Sequence, residues 1–138
     1  MVEILKDGDK DVKVYRTFVR ELVDKLQFFY ENLSIAVACN GDETGMPIID
    51  VASIGCRPTI IIAHQGAKTR QMTVGELAKK LQAFNNEYSE VVVAYQGSDE
   101  SSVVMDVDII KDIPTIIIPA GIIKQIRQDD ENFNKSRI

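Results

Sequence analysis

The sequence predicts an α+β fold made by tandem duplication of one unit, a helix followed by three strands. The pentapeptide Pro-Thr-Ile-Ile-Ile occurs twice, at Pro58–Ile62 and at Pro114–Ile118. The residues around it repeat as well, with 18 identities over 47 aligned positions at an offset of 55 residues before Tyr88 and 56 after it. A single copy is too small to bury a stable core. We therefore expect the two copies to share one mainly antiparallel sheet with the helices packed on it, related by the pseudo-twofold symmetry of a fused homodimer.

Each copy begins with an amphipathic helix. Apolar residues recur at helical spacing in both segments, so one stripe of each helix is expected to face the core. The stripes consist of Val19, Leu22, Val23, Leu26 and Phe29 in the first copy, and of Val74, Leu77, Ala78, Leu81 and Phe84 in the second. Thr73 and Glu76 have the spacing of a capping box at the start of the second helix. We expect Thr17 to cap the first helix.

Three strands follow each helix. The segments 33–39 and 90–95 are apolar at nearly every position, which is typical of central strands. After a polar turn comes an alternating strand, in which Asp106 and Asp108 are expected to point to solvent and Ile109 toward the core. The Pro-Thr-Ile-Ile-Ile segments are expected to form the last strand of each copy, with Pro at the first strand position, where a missing N–H costs least.

All 138 residues are expected to form one compact domain, 1–138. This domain comprises repeats of about 1–64 and 65–120, followed by a C-terminal tail, 121–138, that packs on the core or on a second chain. Ahead of the first helix, Val2–Leu5 is expected to form a strand. We expect this strand to be equivalent to the first Pro-Thr-Ile-Ile-Ile strand, which precedes the second helix.

The charge balance limits the classes of partner. The net charge is −5, which disfavours nucleic acid as a partner because phosphate contacts need a basic surface. No apolar run approaches the roughly 20 residues of a membrane span, and the start of the chain does not resemble a signal peptide. We therefore predict a cytoplasmic protein with no membrane partner. Cys39 and Cys56 lack the spacing of a metal site and are expected to be reduced thiols.

Six residues at turns and strand ends are candidate binding residues: Asp42, Glu43, Arg57, His64, Asp99 and Glu100. The acidic pairs lie in the polar turns and match no calcium-binding loop, so we predict no metal and no cofactor. The arginine and the histidine flank the first Pro-Thr-Ile-Ile-Ile strand. The second copy has Ile113 and Ala120 at those two positions, so a site that uses these strand ends must be asymmetric.

A small ligand or a nucleotide at the seam between the copies is one alternative. Ala36, Ala38 and Ala94 are small residues that leave room at this seam, although they also suit close helix packing. An anionic ligand would need a local basic patch. The residues available for such a patch are Lys68, Arg70, Lys79 and Lys80.

Two further alternatives use the acidic residues or the thiols. A row of carboxylates could mimic the phosphates of nucleic acid and bind in the basic groove of another protein. A cysteine-dependent enzyme would need Cys39 or Cys56 beside His64, and the repeat does not duplicate that combination. We therefore assign no catalytic residue.

A helix that begins Met-Thr-Val-x-Glu-Leu lies at Met72–Leu77, and Val-Val-Val and Asp-Val-x-Ile strands follow at Val91–Val93 and Asp106–Ile109. With these motifs the second copy resembles a group of short proteins common in bacteriophages and prophages. The resemblance implies a small, non-enzymatic accessory protein of a phage or mobile element that binds and modulates a host protein, for example as a defence inhibitor. It transfers no site residue. Whether the chain forms a homodimer or binds a small molecule stays open.

Overall fold

The computed structural model describes residues 2–7, 10–84 and 86–119. The predicted tail, 121–138, therefore lies outside the described residues. The fold is α+β, as predicted, and its elements follow one another in this order: β1 (Val2–Asp7), β2 (Lys10–Tyr15), α1 (Val19–Leu26), β3 (Ala36–Cys39), β4 (Met46–Ile54), β5 (Arg57–Ile62), α2 (Val74–Gln82), β6 (Val92–Tyr95), β7 (Ser102–Val103), β8 (Asp106–Ile110) and β9 (Ile113–Ile118).

Both predicted helices form, and they pack against each other. Most of each apolar stripe is buried, with Leu22 and Leu77 fully inaccessible to solvent, whereas Phe29, Ala78 and Phe84 are half-buried. Thr73 caps α2 as predicted, because its hydroxyl accepts the N–H of Glu76 at 3.2 Å. The prediction for α1 is wrong: the N-cap there is Phe18, which makes no side-chain cap. The hydroxyl of Thr17 instead donates to the carbonyl oxygen of Val104 at 2.9 Å.

Seven strands form one sheet in the order β7-β6-β5-β4-β3-β9-β8, and β1 and β2 form a separate two-stranded sheet. The β4–β5 and β8–β9 hairpins are antiparallel. The sheet as a whole is mixed rather than mainly antiparallel, because β5 pairs with β6, and β3 with β9, in parallel. A parallel pair needs a crossover connection, and α2 supplies it between β5 and β6.

The two edges of the seven-stranded sheet are joined by two residues. The edge strands β7 and β8 are separated only by Val104 and Met105. Val103 and Asp106 are three Cα–Cα steps apart, so the two edges lie within about 11 Å of each other at this point and the sheet is curled. Val104 is fully buried at this junction, and the N–H of Met105 donates to the carbonyl oxygen of Ile117 at 2.8 Å. The core fills the space between this curled sheet and the helices.

The strand registers of the first half, up to residue 64, recur in the second half, from residue 65, after a shift of 56 residues. Ala36 lies opposite Pro47 in the β3–β4 pair, and Val92 lies opposite Val103 in the β6–β7 pair. The two hairpins and the two parallel pairs obey the same shift. Each parallel pair joins a strand of one half to a strand of the other, so the halves interlock.

Three details of the strand prediction are wrong. Proline takes the second position of β5 and β9 and not the first, because the strands begin at Arg57 and Ile113. Val2–Leu5 belongs to β1, which pairs with β2 and not with the large sheet, so it does not take the role that β5 has. Ile109 is 57% exposed and does not face the core. It lies close to the tip of the β8–β9 hairpin, where the core no longer covers both faces of the strands. Asp106 and Asp108 are exposed, as predicted.

Candidate functional site

The predicted site residues lie in three separate depressions of the surface. The Asp42–Glu43 pair lines a groove of about 700 Å³. Arg57 lines a smaller groove of about 290 Å³ together with the Asp99–Glu100 pair. His64 lines a pocket of about 510 Å³. We call these the acidic groove, the Arg57 groove and the His64 pocket. The structure therefore brings the candidates together in subsets and not in one site.

The acidic groove lies between the loop that follows β3 and the β8–β9 hairpin. Its lining combines carboxylates and apolar side chains, four of each, with one lysine, Lys111. The carboxylates belong to Asp42, Glu43, Asp106 and Asp108, and the apolar residues are Met105, Ile109, Ile110 and Ile117. The sequence identified the acidic residues singly or in pairs. It gave no signal that the two chain segments meet, because their contact depends on the pairing of β3 with β9.

The first wall of the acidic groove is a tight loop held by Asp42. Gly41 has a φ of 87°, a conformation that glycine adopts at no steric cost. The N–H of Asp42 donates to the carbonyl of Cys39 at 2.9 Å. The Asp42 carboxylate accepts the N–H of Thr44 at 2.9 Å and the side-chain amide of Gln65 at 3.2 Å. Asp42 therefore fixes the loop, and Glu43 beside it extends to solvent.

The second wall is the tip of the β8–β9 hairpin. Lys111 and Asp112 form a two-residue turn in which both residues have positive φ, as hairpins of this length require. The turn leaves apolar side chains in solvent: Ile109 is 57% exposed and Ile113 is 43% exposed. Exposed apolar residues beside charged ones are common at binding surfaces.

Two ion pairs adjust the charge of the acidic groove. The Lys111 ammonium lies 3.5 Å from the Glu43 carboxylate across the groove. Lys25 of α1 donates to the Asp106 carboxylate at 2.9 Å. This hydrogen bond has the largest effect on the pKa of Asp106 and lowers it. Burial opposes it by raising the pKa, and the N–H of Val107 makes a smaller lowering contribution. With Lys111 as the only cation among the described lining residues, the groove keeps a negative balance.

The Arg57 groove is also formed by a hairpin tip and a loop. It is bounded by the tip of the β4–β5 hairpin and by the loop that follows β6, and it contains the 52% exposed Ile54. Ser98 accepts the N–H of Glu100 at 3.1 Å there. The Arg57 groove is smaller than the acidic groove, and Arg57 offsets part of its negative charge. Ala94, one of the small residues predicted at the seam, also lines it.

The His64 pocket lies where the parallel strands β5 and β6 end. Its lining includes Ile62 and Tyr95, the last residues of those strands, and the loop residues His64, Lys68 and Thr69. Only Lys68 of the predicted basic patch takes part. Arg70 and Lys80 are engaged in ion pairs with Glu76 at 2.8 Å and with Asp50 at 3.3 Å. The sequence missed the pocket because Tyr95 and Thr69 meet only through the crossover.

Within the part of the chain that the structure describes, the thiols and the remaining carboxylates do not form a further centre. Cys56 precedes β5 and His64 follows it, so this six-residue strand separates them by roughly 20 Å. Cys39 is buried, and Cys56 lies exposed in the β4–β5 turn. No group of three or more His, Cys, Asp or Glu side chains in the described ranges could hold a metal ion. No helix within those ranges is long and apolar enough to cross a membrane.

Comparison with protein-family models, with curated proteins and with solved structures found no match to this chain.

Proposed function

We propose that this protein binds a basic, partly apolar segment of a partner protein in the acidic groove. The composition of the groove carries the proposal, because four carboxylates and four apolar residues line a volume of about 700 Å³. A Lys or Arg side chain of the partner would meet the carboxylates, and an adjacent apolar side chain would cover Ile109. Charge complementarity of this kind accelerates association and selects the partner.

The exposed isoleucines of the β8–β9 hairpin support an apolar contribution to binding. Ile109 is 57% exposed, and removal of apolar surface from water stabilises a complex by about 25 cal/mol per Å². Asp108, the preceding residue, is exposed and lines the same groove. An apolar centre with a charged rim is the usual arrangement of a protein interface.

We infer from the sequence resemblance that the partner is a host protein. The Met-Thr-Val-x-Glu-Leu helix of Met72–Leu77 resembles that of phage accessory proteins, which suggests a phage or mobile-element protein acting in the host cytoplasm. A host defence component that carries a basic segment fits this setting. An enzymatic role is not part of the proposal.

The test is a quantitative pull-down from bacterial lysate with the wild-type chain and a groove variant as baits. The groove variant combines Glu43→Gln, Asp108→Asn and Ile109→Ser, three exposed positions of the acidic groove. We expect a partner that the wild type retains and the groove variant loses. Salt at about 0.5 M should weaken the same complex, because it screens exposed charges.

A matched control changes the Arg57 groove in the same way. It combines Asp99→Asn, Glu100→Gln and Ile54→Ser, which remove the same kinds of side chain from the other hairpin and its facing loop. This control should retain the partner. Retention of the partner by the groove variant, or no specific partner with any bait, contradicts the proposal. Circular dichroism spectra of both variants check that they are folded.

We also propose that the chain arose by tandem duplication and that its halves are related by pseudo-twofold symmetry. The common shift of 56 residues in the strand registers supports this. Two ion pairs support it as well, since Lys25–Asp106 and Lys80–Asp50 each join a helix of one half to a strand of the other. Double-mutant cycles should give similar coupling energies for the two pairs, about 0.2–1 kcal/mol each. Coupling in only one pair would argue against equivalent halves.

A further inference from the structure

The His64 pocket differs in charge from the rest of the molecule. The chain has a net charge of −5, yet no Asp or Glu occurs among the described residues that line this pocket. Apart from the Tyr95 hydroxyl, its polar side chains are those of His64, Lys68, Thr69 and Gln96, and all four can donate hydrogen bonds. Among the described residues Lys68 makes no ion pair, whereas Lys25, Lys80 and Lys111 each pair with a carboxylate.

The backbone holds these donors around a common space. The N–H of Gln96 donates to the carbonyl of Ile62 at 3.0 Å, which continues the β5–β6 pairing beyond the last strand residues. The N–H of Ala67 donates to the carbonyl of His64 at 3.2 Å, and Gly66 has a φ of 80°. The resulting turn places Lys68 on the same pocket as His64.

Apolar surface completes the pocket. Ile49, Ile62 and the ring of Tyr95 contribute to the lining, and the Tyr95 hydroxyl donates to the sulfur of Met46 at 3.0 Å. This hydrogen bond holds the aromatic ring in place. The pocket volume of about 510 Å³ lies within the range of small-molecule sites, about 300–1,000 Å³.

We propose that the His64 pocket binds a small organic phosphate of nucleotide size or smaller. Lys68 and His64 hold the phosphate, and Thr69 and Gln96 donate to its remaining oxygens. Four donors match a phosphate, which has three terminal oxygens, better than a carboxylate, which has two. The body of the ligand packs on Ile49 and the Tyr95 ring, because flat organic groups stack on aromatic side chains. This site is independent of the partner surface proposed for the acidic groove.

The test is isothermal titration calorimetry of the full chain with AMP, adenosine and inorganic phosphate. We expect AMP to bind with a Kd of about 0.1–1 mM, and the two partial ligands to bind at least about tenfold more weakly. This order follows because each partial ligand engages only the apolar or only the polar part of the pocket. No heat from AMP at about 5 mM, well above that Kd, would overturn the proposal.

Two substitutions locate the binding site. Lys68→Ala and His64→Ala change exposed residues and should each weaken AMP binding by about tenfold or more. Lys79→Ala is the matched control, because Lys79 is an exposed lysine of α2 outside the pocket lining. Its AMP affinity should equal that of the wild type. If Lys79→Ala weakened AMP binding as much as Lys68→Ala does, the attraction would be unspecific. If Lys68→Ala bound AMP as the wild type does, AMP would bind outside the His64 pocket. Either result overturns the proposal.

Discussion

Substitution Thr17→Val tests how the junction between the two edges of the curled sheet is held in place. The Thr17 hydroxyl donates to the carbonyl oxygen of Val104 at 2.9 Å. Val104 is fully buried and lies between β7 and β8, outside the strand ladders. No backbone N–H in the described part of the chain donates to this carbonyl. Valine keeps the shape of threonine and removes only the donor.

The expected effect is a loss of about 1–2 kcal/mol in the free energy of unfolding. A buried carbonyl without a partner costs about 1–3 kcal/mol, and the methyl group that replaces the hydroxyl returns part of this by apolar burial. Thr17 is only 4% exposed, so water cannot easily replace the lost donor. Since domains are stable by about 5–15 kcal/mol in total, the change is readily measurable.

Thr115→Val is the matched control for this measurement. Thr115 is 2% exposed, but its hydroxyl donates to the carbonyl of Ile113, only two residues away, at 2.8 Å. Ile113 is 43% exposed and lies beside the hairpin turn, so we expect water to replace the hydroxyl at that carbonyl. We expect a loss below about 0.5 kcal/mol. Urea unfolding followed by circular dichroism gives the free energy of unfolding of both variants. A Thr17→Val variant as stable as the wild type, or an equal loss of stability in both variants, would refute the proposed role of the Thr17 hydroxyl.

Three further substitutions probe packing and charge. Gly45→Ala should lower the free energy of unfolding by about 1–3 kcal/mol, because the new Cβ would lie 2.8 Å from the Cβ of Ala36. In a double-mutant cycle, adding Ala36→Gly should recover much of this loss. A Gly45→Ala variant as stable as the wild type would contradict the close approach. Leu77→Ala should cost about 2–5 kcal/mol in urea unfolding, since Leu77 is fully buried, and a loss below about 1 kcal/mol would count against that burial. Asp50→Asn should lower stability at pH 7 by up to about 1 kcal/mol, because the N–H of Val51 and then Lys80 hold the pKa of Asp50 below 3.8. A carboxyl group with a lowered pKa in the folded state stabilises the fold at pH values above its unfolded-state pKa. The stability difference between Asp50→Asn and the wild type should therefore disappear as the pH falls through the folded-state pKa. A stability difference that persists in acid would refute this assignment.

Local patterns in the sequence predicted the helices and strands well. The apolar stripes of α1 and α2, the Thr73 cap and the two Pro-Thr-Ile-Ile-Ile strands all depend on residues a few positions apart, and the structure confirms them. The prediction from the sequence failed where a residue contacts a segment that is distant in the chain. Thr17 looks like a helix cap by its position, but its hydroxyl finds Val104, which lies 87 residues away along the chain.

The candidate site was predicted in fragments for the same reason. Polar turns and strand ends are visible in the sequence, so Asp42, Arg57 and His64 were identified as candidates, and each lines a groove or pocket. Which turns lie together depends on the strand order of the sheet. The parallel pairing of β3 with β9 and of β5 with β6 has no local signature, and it determines that Asp42 faces Asp108 while His64 lies beside Tyr95.

The interlocking of the halves makes the acidic groove a property of the whole chain. One wall is the loop of Asp42, in the first half, and the other is the hairpin around Lys111, in the second half. The parallel β3–β9 pair joins these walls, with the N–H of Asn40 donating to the carbonyl of Ile118 at 2.7 Å. A substitution that loosens the core, such as Leu77→Ala, should therefore reduce partner binding only in proportion to the unfolded fraction. Exposed rim substitutions such as Asp108→Asn should instead reduce binding without changing stability, and this separation distinguishes a surface that binds a partner from carboxylates that are merely solvated.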